Sequence, residues 1–170
     1  MTTNMAAKKT STTNEEVIIE AIPENEDRVV SIDRISRTVK GGRRIRFRAI
    51  VVVGDRAGHV GLGVAKANDV QTAIAKAKNK ANKIKIEVPI VKESILHEVV
   101  QVFGTTKVIL KPAPIGHSII AGGSVRAVVE LAGIKNIVSK ALGSSNALNS
   151  ATATYLALKQ LTDEKKRGLK

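Results

Sequence analysis

An α+β fold of two small domains is what this sequence predicts, and three observations carry that expectation. Apolar residues alternate with period two in three successive stretches and then recur at helical spacing, which is the order β-β-β-α. The patterning breaks at Pro89 and restarts at Ser94 with strands and helices of its own. The chain has 170 residues, 43% of them apolar, enough for two small cores. The expected division is a disordered acidic tail over 1–27, a first domain over 28–88, a linker over 89–94, a second domain over 95–161 and a charged tail over 162–170. The two domains are expected to fold separately.

Arg28 to Val39 reads as the first strand, and a change of apolar parity between Ile32 and Ile35 suggests a bulge. Gly41-Gly42 suits a hairpin tip, because glycine tolerates positive φ. Strand two is Arg44–Val53, with Ile45, Phe47, Ala49, Val51 and Val53 alternating. After a turn over 54–58, strand three runs His59–Lys66. Val60, Leu62 and Val64 share one face, and Gly61 and Gly63 on the other leave room for a close-packed neighbour. Asn68 and Gln71 are spaced as in a capping box, ahead of a helix whose stripe is Val70, Ile74, Ala77 and Ala81. In the second domain, Ser94–Phe103 and Thr106–Lys111 are strands around Gly104-Thr105. Ser124–Ala132 is a helix closed by Gly133, and Lys135–Leu142 is a strand. Asn146 caps a last helix over Ala147–Leu161, with Leu148, Ala151, Tyr155 and Leu158 on its face.

Net charge is +13, and it is concentrated. Residues 28–88 carry fifteen basic and four acidic side chains, whereas residues 1–27 carry two and six. Such a block calls for a polyanion, nucleic acid ahead of an acidic membrane surface. The only aromatic residues are Phe47, Phe103 and Tyr155, so the core is aliphatic and recognition by stacked bases is disfavoured. There is no Cys, hence no disulfide framework and no Cys-based zinc site. No apolar run follows the N-terminal lysines, so no signal peptide is expected. The longest uncharged run, Ala141–Leu158, is rich in Ser, Asn and Thr and reads as no membrane span.

The densest charge lies in Ser36-Arg37-Thr38-Val39-Lys40-Gly41-Gly42-Arg43, continued by Arg44, Arg46 and Arg48. A hairpin with arginines at its tip and along one face suits phosphates, which guanidinium groups match bidentately. The competing reading is a solvated basic loop. Lys76, Lys80 and Lys83 crowd the helix together with Lys78, and like charges four apart at Lys76 and Lys80 imply a neutralising anion. Chemistry beyond binding does not assemble. Gly122-Gly123-Ser124 before a helix could hold a phosphate on helix amides, yet the P-loop lysine is missing and a tight backbone approach is the plainer reading. Gly61-Leu62-Gly63 lies inside a strand, the wrong context for a dinucleotide site. His59, His97 and His117 are scattered. No catalytic set, metal site or cofactor is expected.

Several longer motifs are more specific. They are Ser36 to Arg43, then Val52-Val53-Gly54-Asp55 with Val60-Gly61-Leu62-Gly63, then Ile119-Ile120-Ala121-Gly122-Gly123. Arg126-Ala127-Val128 through Ala132-Gly133 and Gly143-Ser144-Ser145-Asn146 complete the set. Together, over residues 28–161, they resemble the family of the fifth protein of the bacterial-type small ribosomal subunit. The resemblance implies a double-stranded-RNA-binding-like N-terminal domain and a C-terminal α/β domain. It implies a structural protein that binds ribosomal RNA, bridges head and body near where messenger RNA enters, and contributes to accuracy. Implied neighbours are small-subunit ribosomal RNA and small-subunit proteins four and eight, with no membrane partner. The implied location is a cytoplasmic ribosome, with an organelle ribosome as the secondary alternative. The loop from Ser36 to Gly42 would approach a head helix of the RNA near the spectinomycin site. Ser118 and Arg126 would meet protein four, although the family pattern expects Gly at 118. The alternative is a free-standing double-stranded-RNA-binding protein, which would share the first domain but not the C-terminal motifs. A kinase-like enzyme would need metal-binding carboxylates near Gly122-Gly123, where only Glu130 is close in sequence.

Overall fold

The computed structural model describes residues 25–168. Of the tail expected over 1–27, only 25–27 fall among them, and residues 169 and 170 also lie outside. The first sheet is antiparallel in the order β1 (Glu26–Val39), β2 (Gly42–Gly54), β3 (His59–Ala67) and β4 (Ile86–Glu87), with α1 (Val70–Lys83) between β3 and β4 in sequence. The bulge falls between Val29 and Ser31 rather than between Ile32 and Ile35. Asp33 stands opposite Arg48 in the β1–β2 register, and this pair, not an extra residue, explains the broken apolar parity.

The expected capping box is not made. Asp69, in extended backbone, occupies the N-cap and contributes no side-chain bond. Packing holds α1 instead. Ala73, Ala77 and Ala81 are buried against Gly61 and Gly63, whereas Val70 and Ile74 are only partly covered. A Cβ on Gly63 would lie 1.9 Å from the Ala77 carbonyl oxygen, and one on Gly61 would lie 2.3 Å from that of Ala81. The glycines thus admit the helix backbone itself, and only alanine fits between.

The second sheet is ordered β5 (Val99–Phe103), β6 (Thr106–Pro112), β8 (Ile137–Gly143) and β7 (Ile119–Ile120), the last pair parallel. Its helices are α2 (Gly123–Ala132) and α3 (Ala147–Lys166). Asn146 caps α3 by accepting from the Leu148 amide at 3.0 Å, and α3 runs on to Lys166, past its expected end at Leu161. β5 begins at Val99, not Ser94, because Ser94 pairs back with Val91 in the linker.

The two halves share a core. Alternate residues of β2 point to opposite faces: Ala49, Val51 and Val53 toward α1, Ile50 and Val52 toward α2 and α3. Ile50, Val52, Val60 and Leu62 join Val125, Val128, Val129, Leu131, Leu158 and Leu161 in one buried cluster. The layers are therefore α1, first sheet, α2 with α3, second sheet. Backbone bonds stitch the contact, with Arg56 N donating to Leu131 O and Gly58 N to Ala132 O, both at 3.1 Å. Tyr155 Oη donates to Ile84 O and Thr162 Oγ1 to Glu87 O, both at 2.6 Å. Re-exposing four aliphatic side chains costs about 6–10 kcal/mol, comparable with the whole stability of a small domain. A fragment of residues 25–89 is thus expected to lack a cooperative fold. Amide exchange as slow as in the full chain would restore the expectation of separate folding.

Candidate functional site

β1 and β2 outrun β3, whose last pair is Phe47 with Ala67, and project as a two-stranded ribbon. Cα register sets Arg37 opposite Arg44, Ile35 opposite Arg46 and Asp33 opposite Arg48. Period two therefore gathers Arg37, Arg44, Arg46 and Arg48 on one face, while Ser36, Thr38 and Arg43 share the other. Arg48 differs from its neighbours. Its Nε and Nη2 donate to Asp33 Oδ2 at 3.0 and 2.6 Å, so much of its charge is met within the sheet. Asp33 is the one acid opposite the arginine row, and the sequence reading gave it no role.

Ile35, Ser36, Arg37, Val39, Arg44, Arg46 and Lys66 line a cleft of about 380 Å³ on the ribbon. A second groove, about 290 Å³, shares Arg46 and Lys66 and continues past the N-cap Asp69 to Thr72 and Lys76 on the first two turns of α1. Together they form a cationic track with Ile35 and Val39 exposing apolar surface at one end. Lys66 was missed as a site residue, although the parity of Val60, Leu62 and Val64 extends to it and places it beside Arg48. Lys76, Lys80 and Lys83 are exposed on α1, but only Lys76 reaches the groove. Lys78 bonds Asp27 at 2.6 Å.

At the tip, Lys40 and Gly41 form the turn between strands. Gly41 has φ 89 and Gly42 φ 157, and a Cβ at either would meet open space. Gly41 is thus the residue that needs glycine most, for backbone rather than steric reasons. Gly41→Val is expected to cost about 1–3 kcal/mol by strain, more than Arg43→Lys, which loses only the guanidinium fork. Thermal unfolding and RNA affinity of both variants check this, and an unaltered Gly41→Val protein would show the tip to be relaxed.

A separate cleft of about 390 Å³ is lined by Arg56, Ser118, Ile119, Arg126, Glu130, Gly133, Ile134 and Lys135. It brings Ser118 and Arg126 together. Ser118 has φ 57, a left-handed conformation that serine holds at a cost of about 1 kcal/mol and glycine holds freely. That is a physical reason for the glycine the family pattern expects there. Arg126, on the first turn of α2, has Nε 3.9 Å from Glu130 Oε2, and the same oxygen accepts from Arg28 Nη1 at 2.6 Å. Arg28 begins in the first sheet, so the cleft is built by both halves. No local signal joined Arg28 or Arg56 to Glu130, since these residues are distant in the chain.

The remaining sequence candidates do not assemble. His59 Nδ1 lies 2.6 Å from Asp55 Oδ2, and His97 Nε2 lies 2.9 Å from Glu164 Oε2. Burial pulls the Asp55 carboxyl upward, but bonds from the Ala57 and His59 amides and the His59 ring outweigh it, leaving it below its usual range. Among the described residues no three His, Asp or Glu side chains converge as a metal site, and no helix is long and apolar enough to cross a membrane. Gly122 and Gly123 have open space around them, so the tight approach expected there is not found. Close backbone contact falls at Gly54, Gly61, Gly63, Gly133 and Gly143 instead.

A cationic ribbon and groove on an α+β frame of two sheets is a surface complementary to a polyanion, the class of surface a nucleic-acid-binding protein presents. The family profile described as Ribosomal protein S5, N-terminal domain matches residues 25–89, and that described as Ribosomal protein S5, C-terminal domain matches residues 101–167. The two matches cover well over half of the chain, and it belongs to the ribosomal protein S5 family. It is a structural constituent of the small ribosomal subunit that binds ribosomal RNA, associates with other ribosomal proteins and resides in the ribosome; it is not an enzyme.

Proposed function

We propose that the chain bridges the head and body of a cytoplasmic small subunit near where messenger RNA enters, and tunes translational accuracy through contact with protein four. Protein eight is a second neighbour, and residues 89–94 link the RNA-binding and C-terminal lobes. The RNA surface comprises Ser36, Arg37, Thr38, Val39, Lys40, Gly41, Gly42, Arg43, Arg44 and Arg46, with Arg48 at its inner end and Lys76, Lys80 and Lys83 along α1. The observation that carries the reading is the convergence of Ser118 and Arg126 on one cleft, tied to the ribbon sheet through Arg28 and Glu130.

Arg126 stands near the N-terminus of α2, where the helix dipole disfavours a cation by a few tenths of a kcal/mol. Its side chain is more than half exposed and comes no nearer than 3.9 Å to Glu130, which leaves the guanidinium open to a partner. Arg126→Ala is expected to raise misreading roughly threefold to tenfold, the population shift that about 1 kcal/mol produces, with subunits still assembled. A near-cognate readthrough reporter in cells carrying only the variant measures it. Unchanged misreading at normal subunit levels would refute the role, and loss of assembled subunits would make Arg126 a docking residue instead.

A further inference from the structure

All four non-glycine residues with left-handed backbone among the described residues, Arg56, Lys92, Glu93 and Ser118, gather about the cleft that holds Arg126. Arg56 and Ser118 line it, and Lys92-Glu93 form the turn of the linker between the paired residues Val91 and Ser94. Left-handed non-glycine residues persist only where surrounding bonds over-determine them, and they concentrate at functional surfaces. Here the bonds are visible. Asn136, only 3% exposed, accepts through Oδ1 from the Gly116 amide at 3.1 Å and the Ser118 amide at 3.2 Å. Its Nδ2 donates to Glu93 Oε2 at 3.3 Å, and its carbonyl accepts from Ser94 Oγ at 2.7 Å. The Glu93 carbonyl accepts from the Lys135 and Asn136 amides, both at 3.0 Å. Glu93 Oε1 accepts from Lys135 Nζ at 2.6 Å, and Lys135 itself lines the cleft. The Lys135 ammonium, by hydrogen bond and charge, holds the Glu93 carboxyl below its usual range.

We infer that Asn136 and Glu93 are positioning residues for this cleft: the linker turn and a buried amide together fix the Ser118 loop in the arrangement a protein partner meets. This rests on the reading of the cleft as the contact with protein four, and it assigns the linker a purpose beyond joining two lobes. Asn136 is suited to the task because one side-chain amide can accept two amides and donate to a carboxylate at once. Asn136→Asp keeps the acceptor but loses the donor and sets a second charge against Glu93. Asn136→Ala removes both functions.

The test uses the full chain and two readouts. Amide exchange in the free protein is expected to accelerate about 10- to 100-fold at Gly116 and Ser118 in Asn136→Ala, with the amides of α2 and α3 unchanged as the check on global folding. Affinity for isolated small-subunit protein four is expected to fall about tenfold in the same variant and severalfold in Glu93→Gln. Unchanged exchange at Gly116 and Ser118 would overturn the positioning role, whatever the partner does. Faster exchange with full affinity would overturn the link between loop and partner. Absence of binding by the unaltered chain would instead remove the protein-four reading, with the exchange result still deciding whether the clamp exists.

Discussion

Gly54→Ala is expected to be among the most damaging single substitutions in the chain, costing about 3 kcal/mol and lowering the unfolding midpoint by about 10 °C. The site is the end of β2, where the first sheet meets the C-terminus of α2. A Cβ there would lie 2.1 Å from the Leu131 carbonyl oxygen, 2.7 Å from its carbonyl carbon and 2.9 Å from its Cβ. None of these atoms is the far end of a flexible side chain, so relief requires the two halves to separate. Separation breaks the bonds from the Arg56 and Gly58 amides to the last carbonyls of α2, groups that have no partner within the helix. It also loosens the ion pair of Arg28 with Glu130, but this pair is exposed and contributes little. Gly133→Ala would act from the other side, since Gly133 has φ 89 and its Cβ would lie 2.1 Å from the Arg56 carbonyl oxygen. Calorimetry of both variants measures the effect. A Gly54→Ala protein within about 1 kcal/mol of the parent, the scale of an ordinary surface change, would show that the halves slide apart cheaply.

The second large effect concerns RNA. Replacing Arg37, Arg44 and Arg46 together by Ala is expected to reduce the salt dependence of ribosomal RNA binding by about three units of log–log slope and to weaken binding about 10²-fold at moderate salt. These three share one face of the ribbon and line one cleft, and among the described residues none has an acidic partner such as Asp33 provides to Arg48. If about six phosphates are engaged, the parent should lose roughly 10³-fold in affinity between 50 and 200 mM salt, with the duplex-DNA slope as guide. The titration belongs on the full chain, because the isolated first half would expose Ile50, Val52, Val60 and Leu62. A slope unchanged by the triple substitution would place the phosphate contacts elsewhere, with the lysines of α1 the nearest alternative.

Much of this architecture was legible because it is written in short-range pattern. Alternation over Ile45 to Val53 and the Gly41-Gly42 tip identified the ribbon, and the spacing of Arg44, Arg46 and Arg48 placed three arginines on one face without any coordinate. Gly61 and Gly63, read as space for a neighbour, receive α1 at backbone distance. Gly133 does close α2 in left-handed backbone, and Asn146 does cap α3.

Composition, period and turn chemistry thus determined the elements, the basic ribbon and the two-part division, since each depends on residues within a few positions of one another. Which faces meet was decided only in three dimensions. The alternation from Ile45 to Val53 reads as a strand buried on one face, whereas Ile50 and Val52 are buried on the other as well, and the restart at Ser94 looked like independence because a sequence does not display that Ile50 and Leu158 share one buried cluster. Likewise Asp33 pairs with Arg48, and Arg56, Ser118, Arg126 and Glu130 line one cleft, only because the chain returns on itself. Such pairings depend on sequence separations of up to about a hundred residues, and local propensity carries no information across that distance.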